Sequence, residues 1–236
     1  MKNFEFTITE KEGKIFSDVS GDLNKIHIDN LTGYNSLYGK KICHGCLLII
    51  KTFKITKLNK YLIKLKTFEI TINFRKPIEY NKKISIKLII QKSIIINIFQ
   101  NNIEICNILV SLKEKKNQTD NNSLKNIHLK KIFKFEKKNS KKDRLFYILE
   151  NLSKYTGMFY PGKNSLIKSI NINYSFLNTN KNKKFKFYSS KIDTRLPLIN
   201  NFLTHEKFII NFDTLVRPNL NIKYKKINRK ILNKIM

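Results

Sequence analysis

Asp22 and His27 stand five positions apart in Ser-Gly-Asp-Leu-Asn-Lys-Ile-His, a stretch rich in small and polar residues. A carboxylate and an imidazole held side by side can share proton-transfer work. The imidazole titrates near neutrality, and burial tunes the carboxylate. Gly45 lies where a long apolar run begins. A glycine there lets a ligand approach the backbone, and the N–H groups of a helix N-terminus stabilise negative oxygen. An acid/base pair beside an oxyanion site is what proton transfer next to a thioester carbonyl requires. An Asp/His pair in a loop is more often structural, so these residues alone leave both readings open. Asn24 suits side-chain to backbone hydrogen bonds that shape the loop. His44 reads as a packing or helix-capping residue, and Asp29 as structural.

The elements that must position these groups follow from hydrophobic period. Residues 4–9 alternate as a half-buried strand does. Residues 15–40 read as irregular. Residues 44–58 are long and apolar, without Pro and with no Gly after Gly45. Their position after a glycine turn favours a buried helix, although the Ile and Thr content would also suit a strand. Segments 66–75, 83–92, 94–99 and 103–113 are rich in β-branched residues and separated by turn signals, so they read as strands. The order is α+β: one central helix wrapped by an antiparallel meander. Residues 114–126 are polar and read as a linker. The second half repeats the order, with a strand at 127–136, a helix at about 141–156 closed by Gly157, and strands at 165–176, 184–193 and 206–216. The expected division is therefore 1–113, a linker at 114–126, and 127–236.

Composition excludes some partners. The chain has 236 residues, 41% hydrophobic, with a net charge of +30. Five of its 47 basic residues are Arg, and the Lys are spread along the chain beside abundant Asn and Ile. Specific nucleic-acid sites recruit clustered Arg and aromatics at stacking spacing. A solvated basic surface is expected instead, with no nucleic acid as partner. The mean hydropathy is −0.36, and no apolar run nears the ~20 residues that span a bilayer. The N-terminus lacks a signal-peptide core. The expectation is a cytoplasmic protein without a membrane partner. Cys43, Cys46 and Cys106 form no disulfide framework, and they read as small apolar filler.

The stretch from Phe16 to Leu47 resembles the MaoC-like family of (R)-specific enoyl-CoA hydratases, also called hydratase 2. The matching residues are Phe16, Ser20-Gly21-Asp22, Asn24, Ile26-His27, Asp29, Tyr38-Gly39, Ile42, His44-Gly45 and Leu47. The segment from Phe74 to Ile90 also resembles the family's strand that follows the helix. The resemblance implies a hot-dog fold, with two such units in tandem. It implies that Asp22 and His27 activate a water that adds to C3 of a trans-2-enoyl thioester, while C2 receives a proton. The reverse reaction dehydrates an (R)-3-hydroxyacyl thioester. Gly45 would hold the thioester oxygen, with Asn24 shaping the loop or touching substrate. The implied substrate is a thioester of coenzyme A or an acyl carrier protein, as in fatty acid metabolism. No metal or organic cofactor is implied.

Three positions depart from the family pattern: Lys25 replaces a Pro, Cys46 a Met, and Phe53 a Ser of some members. The second half carries no Asp/His pair at that spacing; Asp193 and His205 are far apart in strand and loop. It reads as a degenerate hot-dog unit that lines an acyl site. Pairing of two such units, within the chain or as a homodimer, is expected because one alone leaves a sheet edge and apolar surface exposed. A hot-dog thioesterase and a non-catalytic acyl-thioester binding subunit are the alternatives.

Overall fold

Alternation decides the strands. The computed structural model describes residues 1–112, 129–133, 144–162, 165–175, 185–191, 197–205 and 207–216. The first strand is β1 (Lys2–Thr7). Four more follow the central helix: β2 (Thr67–Phe74), β3 (Lys83–Ile90), β4 (Ser93–Gln100) and β5 (Ile103–Ser111). In β4 every second residue is buried, Ile94, Ile96 and Ile98 among them. The second half adds β6 (Leu129–Phe133), β7 (Ser165–Ser175), β8 (Phe185–Lys191), β9 (Leu198–His205) and β10 (Phe208–Val216).

These strands form one antiparallel sheet in the order β1-β3-β4-β5-β2-β7-β10-β9-β8-β6. The order reads as two equivalent arcs. Within each set of five, the first, third, fourth, fifth and second strands are neighbours. The arcs meet where β2 pairs with β7. One apolar row crosses that junction unbroken: Leu88, Ile96, Ile108, Ile72, Ile170 and Phe212 are paired in register. Each such buried side chain contributes about 2 kcal/mol of hydrophobic stabilisation. One residue along, the opposite face carries Asn97, Asn107, Asn73, Ser169, Asp213 and Asn200 in register. The helices cover the apolar face.

Two helices fill that face. α4 (Gly45–Ile55) buries Cys46, Leu48, Ile49, Ile50 and Phe53. α6 (Arg144–Lys154) is amphipathic and buries Leu145, Phe146, Ile148, Leu149 and Leu152. All three cysteines are free and buried, as small apolar filler would be. No helix among the described residues is long and apolar enough to cross a membrane.

The structure corrects several expectations. Residues 15–40 are largely helical: α1 (Glu10–Ser20), α2 (Lys25–Ile28) and α3 (Asn30–Tyr34). A capping box decides α1. Thr9 accepts from the Glu12 N–H and Glu12 reaches back to the Thr9 N–H, so Thr9 leaves the first strand to cap the helix. Gly21, at φ 75°, closes it. The central helix ends at Ile55, because Lys57 turns to φ 58° before the short α5 (Leu58–Leu62). Gly157 does not cap a helix end. It lies inside a π-helical turn, Tyr155–Phe159, that prolongs α6. β9 has no counterpart in the sequence reading. Asn200 and Asn201 look like turn residues, yet Asn201 is buried and bonded to Thr214. The expected linker 114–126 and Asp193 lie outside the described residues.

Candidate functional site

The site begins at the end of α1. Ser20 Oγ accepts from the Asp22 N–H at 3.1 Å, and Gly21 turns the chain so that the Asp22 side chain points inward. Asp22 is then 2% exposed. Its Oδ1 accepts from the Asn24 N–H at 3.2 Å. Asn24 is the N-cap of α2, its Oδ1 facing the Ile26 N–H at 3.5 Å. The helix forms with Lys25 at its first position, where a proline would only have pre-set the backbone. α2 carries His27, whose Nδ1 lies 2.8 Å from the carbonyl oxygen of Ile42. A carbonyl only accepts, so Nδ1 holds the proton and Nε2 is left as the acceptor. Asp29 caps α3 through the Thr32 N–H at 2.7 Å, the structural role expected of it.

The second half supplies what the sequence did not reveal. Ser153 Oγ donates to Asp22 Oδ2 at 2.6 Å. Gly157 lies directly against the same carboxylate: a Cβ there would collide with Asp22 Oδ1 and sit 3.2 Å from Asn24 Cβ. Gly157 therefore exists for close approach. Sequence could have flagged only Gly157, as a glycine in a helical pattern; nothing ties Ser153 to Asp22 in sequence.

Asp22, Asn24, His27, Gly45, Ser153 and Gly157 all line one cleft of about 380 Å³. Gly45 opens α4, so its N–H is one that the helix cannot satisfy. Phe74 packs where its side chain would be, at 2.9 Å from an added Cβ. Phe74 and Ile167 give the cleft apolar wall, and Arg75, Lys76 and Lys168 add cations to the lining. Two cleft-lining polar atoms, Asn24 Nδ2 and Thr156 Oγ1, are buried without a hydrogen-bond partner among the described residues.

His44 does not cap α4 with its side chain. It lies beneath the pair instead, its ring centroid 3.9 Å from that of His27. Donor atoms of Asp22, His27 and His44 lie within 4.8 Å of one another. Among the described residues this is the group whose donor set would suit a divalent ion. Burial lowers the pKa of both imidazoles, while Asp22 acts against it on His27. Both rings are therefore neutral at neutral pH, and His27 Nε2 is free to take a proton. A buried carboxylate, a neutral imidazole and a helix N-terminus around one cleft can activate a water and stabilise a developing oxyanion.

No family model and no curated protein matches the sequence. Solved structures do match. A MaoC-like dehydratase is 7% identical, with a TM-score of 0.55, over 92% of this chain and 97% of its own. An oleoyl thioesterase (putative) from Lactobacillus plantarum is 7% identical, with a TM-score of 0.53, over 92% and 96%. An (R)-hydratase from A. caviae is 16% identical over 48% of this chain and 93% of its own, with a TM-score of 0.38. The two full-length likenesses, together with the repeated strand order, place this chain in the hot-dog fold, carried twice in tandem.

Proposed function

We propose that the chain is a hydratase/dehydratase that interconverts trans-2-enoyl and (R)-3-hydroxyacyl thioesters of coenzyme A or an acyl carrier protein. One observation carries the reading: Asp22, His27 and the first N–H of α4 at Gly45 converge on a single cleft. In this reading His27 Nε2 accepts a proton from a water held between it and Asp22. The water oxygen bonds to C3 as the C2–C3 double bond opens. Electron density moves onto the thioester oxygen, where the Gly45 N–H receives it, and C2 then takes up a proton from the acid/base pair. Asn24 Nδ2 and Thr156 Oγ1 are groups with which the oxygens of a bound thioester would pair.

Residues 1–113 would form the unit that carries the pair, and 127–236 the unit that clamps Asp22 through Ser153 and Gly157. The test is hydration of crotonyl-CoA, followed by loss of enoyl-thioester absorbance, with longer-chain and carrier-protein substrates beside it. Turnover to (R)-3-hydroxybutyryl-CoA, abolished by Asp22→Asn and by His27→Ala, is the expected result. Release of free thiol without hydration would replace this reading with a thioesterase. Binding of acyl thioesters without turnover would replace it with a non-catalytic subunit.

A further inference from the structure

His44 is an unusual residue to bury. It is 1% exposed, at the junction of α1, α2 and α4, and its Nδ1 has no hydrogen-bond partner among the described residues. Burying an unpaired ring nitrogen costs free energy that a Phe or Leu in the same place would avoid. What the ring does touch is specific. One face lies against His27, with centroids 3.9 Å apart and planes 31° apart. The Phe16 ring meets it edge-on at 4.9 Å. Nε2 lies 3.2 Å from Ser17 Oγ and 4.0 Å from Asp22 Oδ2. Its backbone leads directly into Gly45.

We propose that His44 is a positioning residue for the acid/base pair: its ring, held at Nε2 by Ser17, packs against His27 and fixes the plane of that imidazole, and it fills the space behind the carboxylate of Asp22. This rests on the reading of Asp22 and His27 as that pair. The physical case is that His27 has one directional bond, from Nδ1 to Ile42 O. A single bond at one edge holds Nδ1 in place but leaves the tilt of the rest of the ring free. The His44 face removes that freedom. On Asp22, Oδ1 takes the Asn24 N–H and Oδ2 the Ser153 hydroxyl. The His44 ring behind Oδ2, with Nε2 4.0 Å away, limits its swing away from the cleft by packing. A misplacement of about 1 Å in such a pair can cost on the order of a hundredfold in rate, so an unpaired buried nitrogen is tolerable at this position.

The two contributions separate by substitution. His44→Phe keeps a ring against His27 and loses the nitrogen that meets Ser17. His44→Gln keeps a polar group toward Ser17 and loses the ring, and His44→Ala loses both. In crotonyl-CoA hydration the expected result is a fall in kcat of about tenfold or more for His44→Ala, with KM nearly unchanged, and partial recovery in His44→Gln. A second readout needs no turnover. The Nδ1–H proton of His27, bonded to Ile42 O, is to be followed by NMR, which a chain with only four histidines simplifies. It should broaden or shift in His44→Ala and remain in His44→Phe. If His44→Ala does not fold, the Phe and Gln variants carry the same comparison. Folded variants with a wild-type His27 proton and wild-type kcat would overturn the proposal and leave His44 as packing. A perturbed His27 proton in a chain without hydratase activity would retain the positioning role and reject the hydratase reading.

Discussion

Ser153 donates a hydrogen bond of 2.6 Å to the carboxylate of Asp22 across 131 residues of sequence. The two lie in different halves of the chain, Asp22 just after α1 and Ser153 in α6, and they meet because α6 packs beside α1 and α4. Ser153→Ala leaves a buried carboxylate short of a donor. The expected loss is about 1–3 kcal/mol of stability, together with lower kcat. Thermal unfolding beside crotonyl-CoA hydration checks both, and unchanged kcat would make the bond purely structural.

Gly157→Ala tests the close approach from the other side. The new methyl would collide with Asp22 Oδ1 and press on Asn24. Overpacking of this kind costs about 1–3 kcal/mol, and here the strained atom belongs to the proposed acid/base pair. Activity should fall further than stability does. A variant as active as wild type would show that the π-helical turn yields instead of Asp22.

Asn24→Ala removes both the cap of α2 and the unpaired Nδ2 in the cleft. Loss of a cap costs about 1 kcal/mol. Asn24→Ser restores a capping oxygen without restoring the amide. If Nδ2 meets substrate, the Ser variant should regain stability and keep a raised KM. Recovery of both would assign Asn24 to the loop alone.

Stability should depend on pH through the two histidines. Burial lowers the pKa of His27 and His44 below the ordinary 6.5. Below that pH the unfolded chain binds protons that the folded chain refuses, so the folded state loses stability as pH falls. The midpoint of thermal unfolding should be nearly level above pH 7 and decline once pH drops below about 6.5. For the same reason, the acid limb of activity should lie below that of a free imidazole. A midpoint level from pH 7 to pH 5 would mean that the buried rings titrate normally.

Cys43, Cys46 and Cys106 should be inert while the protein is folded. Each is fully buried and its thiol is pushed well above the ordinary range by desolvation. The thiolate is the reactive form. A thiol reagent at pH 8 should label none of the three in native buffer and all three in denaturant. Prompt labelling of Cys46 would show that the cleft opens toward α4.

The features legible in the amino-acid order are local ones. Alternation in 83–90 and 93–100, the apolar run after Gly45 and the spacing of Asp22, Asn24 and His27 are all written within short windows. Period and motif read them because neighbours in sequence are neighbours in space there. Two local elements run against hydrophobic period. α1 is mostly polar, and its capping box at Thr9 and Glu12 was the sign that period alone overlooks. β9 hides behind Asn200 and Asn201, whose partners lie on β10. The remaining features arise from packing between distant segments. The placement of Ser153, Thr156 and Gly157 around Asp22, and of His44 beneath His27, depends on packing two helices against one sheet that continues through β2 and β7. Such contacts are fixed by the burial of a shared apolar face, which no window of sequence contains.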